Sequence, residues 1–191
     1  MVDRTGASRR ALLSGAGAAL AGVGAIALGG CGRAATGRKA VKQLPKALME
    51  SDVRILSRAL ALERRTVTAY VAGIPLLPHS QAKAARQFLN EELEHTGELI
   101  SLIIAAGAKA PPRADSYQLG HPSDAAGVLA LLHSLETLLV TNYLQSIPRL
   151  SPGPVRAAVA SILTVDAQHL TMVRLVQGQT PVPSAFVTGA E

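Results

Sequence analysis

From about residue 50 onward, apolar side chains recur at alternating three- and four-residue spacings, the period of one face of a helix rather than of a strand. The first run carries Leu56, Leu60, Glu63, Val67, Tyr70 and Ile74, and the second Phe88, Glu92, His95, Leu99 and Leu102. The third carries Leu129, Leu132, Glu136, Leu139 and Tyr143. The fourth carries Val155, Val159, Ile162, Asp166, His169, Val173 and Val176. These seams predict helices over approximately 50–75, 80–106, 124–147 and 153–177. Proline supplies the breaks: Pro75 and Pro78 end the first helix, and Pro148, Pro152 and Pro154 mark the turn between the last two. Asp124 is a suitable N-cap for the third. Every seam is apolar except at its middle, where carboxylates or imidazoles interrupt it.

The chain also repeats itself. Glu63, Tyr70 and Pro75 recur as Glu136, Tyr143 and Pro148 at an offset of 73 residues. Glu92-x-x-His95 is echoed by Asp166-x-x-His169 at an offset of 74. Two related helix hairpins are the simplest reading. The connection from Gly107 to Ser123, with Pro111, Pro112, Gly120 and Pro122, spans about 50 Å when extended at about 3.3 Å per residue. It is long enough to cross the length of a helix.

The polar interruptions share a level as well as a face. Glu63 and Glu92 each lie about fourteen or fifteen residues from the first turn, and Glu136 and Asp166 about fifteen from the other, so antiparallel partners meet at one height. Four carboxylates buried together oppose their own ionisation through desolvation and repulsion. Two divalent cations would balance them. Carboxylate and imidazole donors suit Fe, Mn or Zn, and the i, i+3 spacing puts a carboxylate and an imidazole on one helical face. A buried polar network without metal is the competing reading of the same six residues.

A Glu from each of two helices, with Glu-x-x-His from each of the other two, is the ligand pattern of ferritin-like di-iron and di-manganese proteins. Over residues 50–178 the chain resembles bacterial ferritin-like proteins near the rubrerythrins and desiccation-related proteins. The resemblance implies an all-α, ferritin-like four-helix bundle of two hairpins joined by a long crossover, with its second and third helices parallel. It implies two ions, Fe or Mn, with Glu63 and Glu136 as terminal ligands, Glu92 and Asp166 as bridges, and His95 and His169 each capping one metal. Asp166 departs from the pattern by one methylene. A shorter bridge lengthens the metal–metal distance, weakens one site, or marks a degenerate one. Tyr70 and Tyr143, two turns beyond the terminal carboxylates, are core residues with a buried hydroxyl partner or supporting groups of the site. His133, one turn before Glu136, either supports it or packs at the seam edge. Glu91, Glu94 and Glu98 fall off the seam and read as a solvated face; His79 and His121 fall in turns and receive no role.

Residues 1–30 read as an address. Ser8-Arg9-Arg10-Ala11-Leu12-Leu13 is similar to a twin-arginine export motif, and an apolar Gly/Ala-rich stretch follows. That stretch ends in Leu28-Gly29-Gly30-Cys31, which resembles a lipobox with Cys31 as the lipidated residue. An uncleaved membrane span is the alternative, but so much Gly and Ala makes a poor one. Residues 31–48 then form a flexible tether with five basic side chains, suited to an anionic bilayer surface. The domain reading is therefore signal peptide 1–30, tether 31–48, bundle 49–178 and C-terminal tail 179–191.

The net charge of +6 belongs almost wholly to that leader and tether. The remainder carries 11 basic against 12 acidic residues, which excludes nucleic acid as the partner of the folded part. Cys31 is the only cysteine, so no disulfide closes within the chain. The expected partners are the twin-arginine export machinery and the outer face of the bacterial cytoplasmic membrane, and a homodimer is compatible with the reading. The expected activity is redox chemistry of O₂ or peroxide, of ferroxidase, peroxidase or catalase type. The alternatives are metal binding without turnover and a structural, stress-protective bundle.

Overall fold

The prolines and the repeated hairpin pattern place the helix ends. The computed structural model describes residues 46–151 and 153–190. The expected export motif at Arg9 and Arg10, the expected lipobox at Cys31 and the expected tether as far as Pro45 lie outside them. Among the described residues four helices follow in order: α1 (Lys46–Gly73), α2 (His79–Ala105), α3 (Ala125–Ser146) and α4 (Pro154–Val176). Each hairpin turns in the same way, through a short 3₁₀ turn at Ile74–Leu76 and again at Ile147–Arg149. In both, proline sits where a missing N–H costs no helical hydrogen bond. At the far ends, Gly107 and Gly178 adopt φ of 81° and 71°, which lets the chain leave α2 and α4 in a left-handed turn. Asp124 caps α3 by accepting the Gly127 N–H at 2.8 Å. The first helix already includes Lys46, ahead of the start expected near residue 50.

Cross-helix hydrogen bonds fix the direction of packing. Tyr70 reaches Glu136 and Tyr143 reaches Glu63, so advancing along α1 means retreating along α3. The pairs His95–Asp166 and His169–Glu92 show the same for α2 and α4. With both hairpins antiparallel, α2 and α3 run parallel, as the crossover requires. Arginines anchor that crossover against α1. Arg64 Nη1 donates to the Pro111 carbonyl at 2.7 Å, Arg65 Nη2 to that of Gln118 at 3.0 Å, and Arg113 Nη2 to Thr68 Oγ1 at 2.8 Å. At one end Asp52, buried on α1, accepts the Ser151 N–H at 3.0 Å and pins the second hairpin turn.

The core divides into two apolar blocks. One gathers Leu56, Leu60, Leu99, Ile103, Leu139 and Ile162, and the other Ala69, Ala85, Val128, Leu132, Leu135 and Val173. Ala125–Arg149 is long and apolar enough to cross a membrane by length and composition, but here α3 packs between α1 and α4. Between the two blocks lies the polar layer.

Candidate metal centre

Glu63 on α1, Glu92 and His95 on α2, Glu136 on α3, and Asp166 and His169 on α4 all converge in that layer. The four carboxylates are 0% exposed, and the imidazoles 8% and 1%. They form two overlapping groups, each with donor atoms within 4.8 Å of one another: Glu63, Glu92, His95 and Asp166, and Glu92, Glu136, Asp166 and His169. Glu92 and Asp166 belong to both. His95 Nδ1 lies 3.3 Å from Asp166 Oδ1, 3.8 Å from Glu92 Oε2 and 3.9 Å from Glu63 Oε2. His169 Nδ1 lies 3.0 Å from Glu92 Oε1 and 3.6 Å from Glu136 Oε1.

The two tyrosines cross between hairpins. Tyr70 donates to Glu136 Oε1 at 2.6 Å, and Tyr143 donates to Glu63 Oε1. Both are fully buried, so they are core residues and supports of the layer at once. His133 makes its polar contact with α4. Its Nε2 lies 3.5 Å from Arg174 Nη1 on α4, and burial together with that guanidinium lowers its pKa.

Glu91 departs from the solvated face expected of it. Its Oε2 lies 2.7 Å from His169 Nε2, and its side chain is 34% exposed. Being one residue before the seam, it escapes a periodicity search, and only the closeness of α2 to α4 brings it into reach. Phe88 completes the surroundings of His169, stacking on its ring with centroids 4.3 Å apart. A cavity of about 240 Å³ between α2 and α4, lined by Glu91, Glu94, Gln168 and Met172 among others, reaches His95 and His169 from outside. Glu94 and Glu98 are exposed, as expected.

Electrostatics show how the layer neutralises itself with protons alone. Burial, followed by the charge of Glu92, pushes Glu63 well above the carboxylate range and Glu136 up to about 8. Burial also raises Asp166 to about 6. Glu92 is held down to about 2, because polar contacts with Glu63, His169 and His95 outweigh its burial. Burial opposes charge on both imidazoles, yet the contacts of His95 with Asp166 and Glu92 raise it to about 9. Those of His169 with Glu136 and Glu92 raise it to about 11. Even so, Glu63 Oε2, Glu92 Oε2, His95 Nδ1, Glu136 Oε2 and both oxygens of Asp166 are buried without a hydrogen-bond partner. Buried polar atoms are ordinarily paired, so six such atoms gathered in one layer could hold a cation. Cations fit this donor set. It offers acceptor atoms converging from four helices, hard oxygen with borderline nitrogen, and no thiolate.

Fold and layer together define the class: an all-α bundle whose buried carboxylate–imidazole clusters are compatible with metal binding. The chain belongs to the ferritin-like domain family, which matches residues 51–179. Among solved structures it is similar to a conserved hypothetical protein from Mycobacterium tuberculosis. The two share 25% identity with a TM-score of 0.65, over 74% of this chain and 99% of the other. No curated protein matches the chain.

Proposed function

We propose that this chain is an exported, membrane-anchored protein with a two-metal carboxylate centre that carries out redox chemistry on O₂ or peroxide. The observation that carries the metal reading is the set of six unpaired ligand atoms gathered in one buried layer. Glu63 and His95 would hold one ion, Glu136 and His169 the other, and Glu92 and Asp166 would contact both. Iron or manganese bound there supplies electrons to a small oxidant. The chain's own residues do the rest. Tyr143 and Tyr70 orient the terminal carboxylates. The apolar blocks close the layer on either side along the bundle, and the cavity between α2 and α4 would let a molecule of peroxide size reach it.

The experiment is metal analysis of the chain exported by its native route, followed by an assay of peroxide and O₂ consumption. Two ions per chain with turnover support the proposal, and two ions without turnover reduce it to metal binding. A metal-free protein would leave a structural bundle.

The location rests on the leader. Changing Cys31 to Ala should release the domain from membranes without unfolding it, and retention would point to an uncleaved span. Replacing Arg9 and Arg10 together by Lys should strand the precursor in the cytoplasm, as read by fractionation. Export that survived the change would favour the general secretory route.

A further inference from the structure

The internal repeat sets Glu63, Tyr70, Glu92 and His95 against Glu136, Tyr143, Asp166 and His169, so the surroundings of the paired residues can be compared. The terminal carboxylates match, each with a tyrosine from the facing helix. The imidazoles do not. His169 turns Nδ1 toward the centre and Nε2 outward to Glu91 Oε2 at 2.7 Å. Glu91 is itself held, because Gln87 Nε2 donates to its other oxygen at 3.0 Å. Phe88 covers one face of the same ring.

At the 74-residue offset, Val165 and Ile162 stand where Glu91 and Phe88 stand. Neither offers an acceptor or a ring. Among the described residues, the carboxylates paired with His95 are Glu63, Glu92 and Asp166, all through Nδ1 on the inner side. Among the described residues, no carboxylate comes within 4.0 Å of the outer nitrogen of His95.

An acceptor on the outer nitrogen fixes the tautomer. With a cation bound in place of the Nδ1 proton, the remaining proton would stay on Nε2, and the ring would be the better donor through Nδ1. Resting on the two-metal reading above, we propose that Glu91 is a positioning residue for His169 and makes the centre unequal. The Glu92–Glu136–Asp166–His169 group then binds its cation more tightly than the Glu63–Glu92–His95–Asp166 group.

The test is a Co²⁺ titration of the full chain, followed by visible absorption and calorimetry. The wild-type chain should bind two ions in separable steps. Glu91→Ala should weaken the tighter step by about 10- to 100-fold and leave the other unchanged. Glu91→Gln keeps an acceptor oxygen and should lose less. In a His169→Ala background the further change Glu91→Ala should have no effect, whereas in a His95→Ala background it should keep its full effect. Equal weakening of both steps, or an effect that persists without His169, would overturn the assignment. Two ions bound with Glu91→Ala silent would remove this inference alone. A wild-type chain that takes up no Co²⁺ would remove the metal reading and this one with it.

Discussion

Each terminal carboxylate of the polar layer is held by a tyrosine from the facing helix, Tyr70 with Glu136 and Tyr143 with Glu63. Replacing either tyrosine by Phe removes a donor and leaves a buried carboxylate oxygen unpaired. The expected cost is about 1–3 kcal/mol, read from urea unfolding of the metal-free chain. The internal repeat predicts similar values for the two variants, and a silent Tyr143→Phe would show that the contact contributes nothing. These tyrosines were legible as seam residues, because helical period alone puts them two turns from Glu63 and Glu136. Their partners were not legible. Period assigns a face, whereas the partner depends on which helix faces which and in what direction. Glu91 was misread for a related reason. It stands off the seam, but a long side chain on the flank of α2 reaches the adjoining α4. Asp52 gave no signal at all, since its partner is a backbone N–H in a turn 99 residues away.

At the scale of elements, the helix ends were readable because proline and glycine act locally, through a missing N–H or a positive φ. The start of α1 was set too late. The tether was bounded by its run of basic charge, but Lys46, Ala47, Leu48 and Met49 are all good helix formers and extend the helix backward. Close packing makes its own prediction. Gly73, at the end of α1, lies so near α3 that a Cβ there would stand 2.6 Å from Val128 Cγ1. Gly73→Ala should therefore overpack this contact and cost about 1–3 kcal/mol in thermal unfolding. Adding Val128→Ala should recover part of that loss, so the two changes should be non-additive. Strict additivity would mean that the helices can move apart freely.

For the whole molecule, the polar layer couples stability to pH. Glu136 and Asp166 rise from 4.5 and 3.8 to about 8 and about 6, and His95 and His169 from 6.5 to about 9 and about 11. The folded chain thus binds more protons than the unfolded one through neutral pH. The stability these groups contribute is fully present below their unfolded values and is lost as pH rises through their folded ones. Glu92, lowered from 4.5 to about 2, has the opposite sign, and its contribution is lost as pH falls. The metal-free chain should melt highest in mildly acidic buffer, at about pH 5, and progressively lower toward pH 9. Cations replace protons, so the gap in Tm between the Mn²⁺-loaded and metal-free chains should widen as pH rises. A gap that closed instead would argue against ligands that must lose protons to bind. The most direct test of the central claim is anomalous diffraction from crystals of the chain loaded with Mn²⁺. Two peaks are predicted, one within bonding distance of Glu63 and His95 and the other of Glu136 and His169, with Glu92 and Asp166 touching both. A single peak, no peak in this layer, or ions bound only at the surface would contradict it.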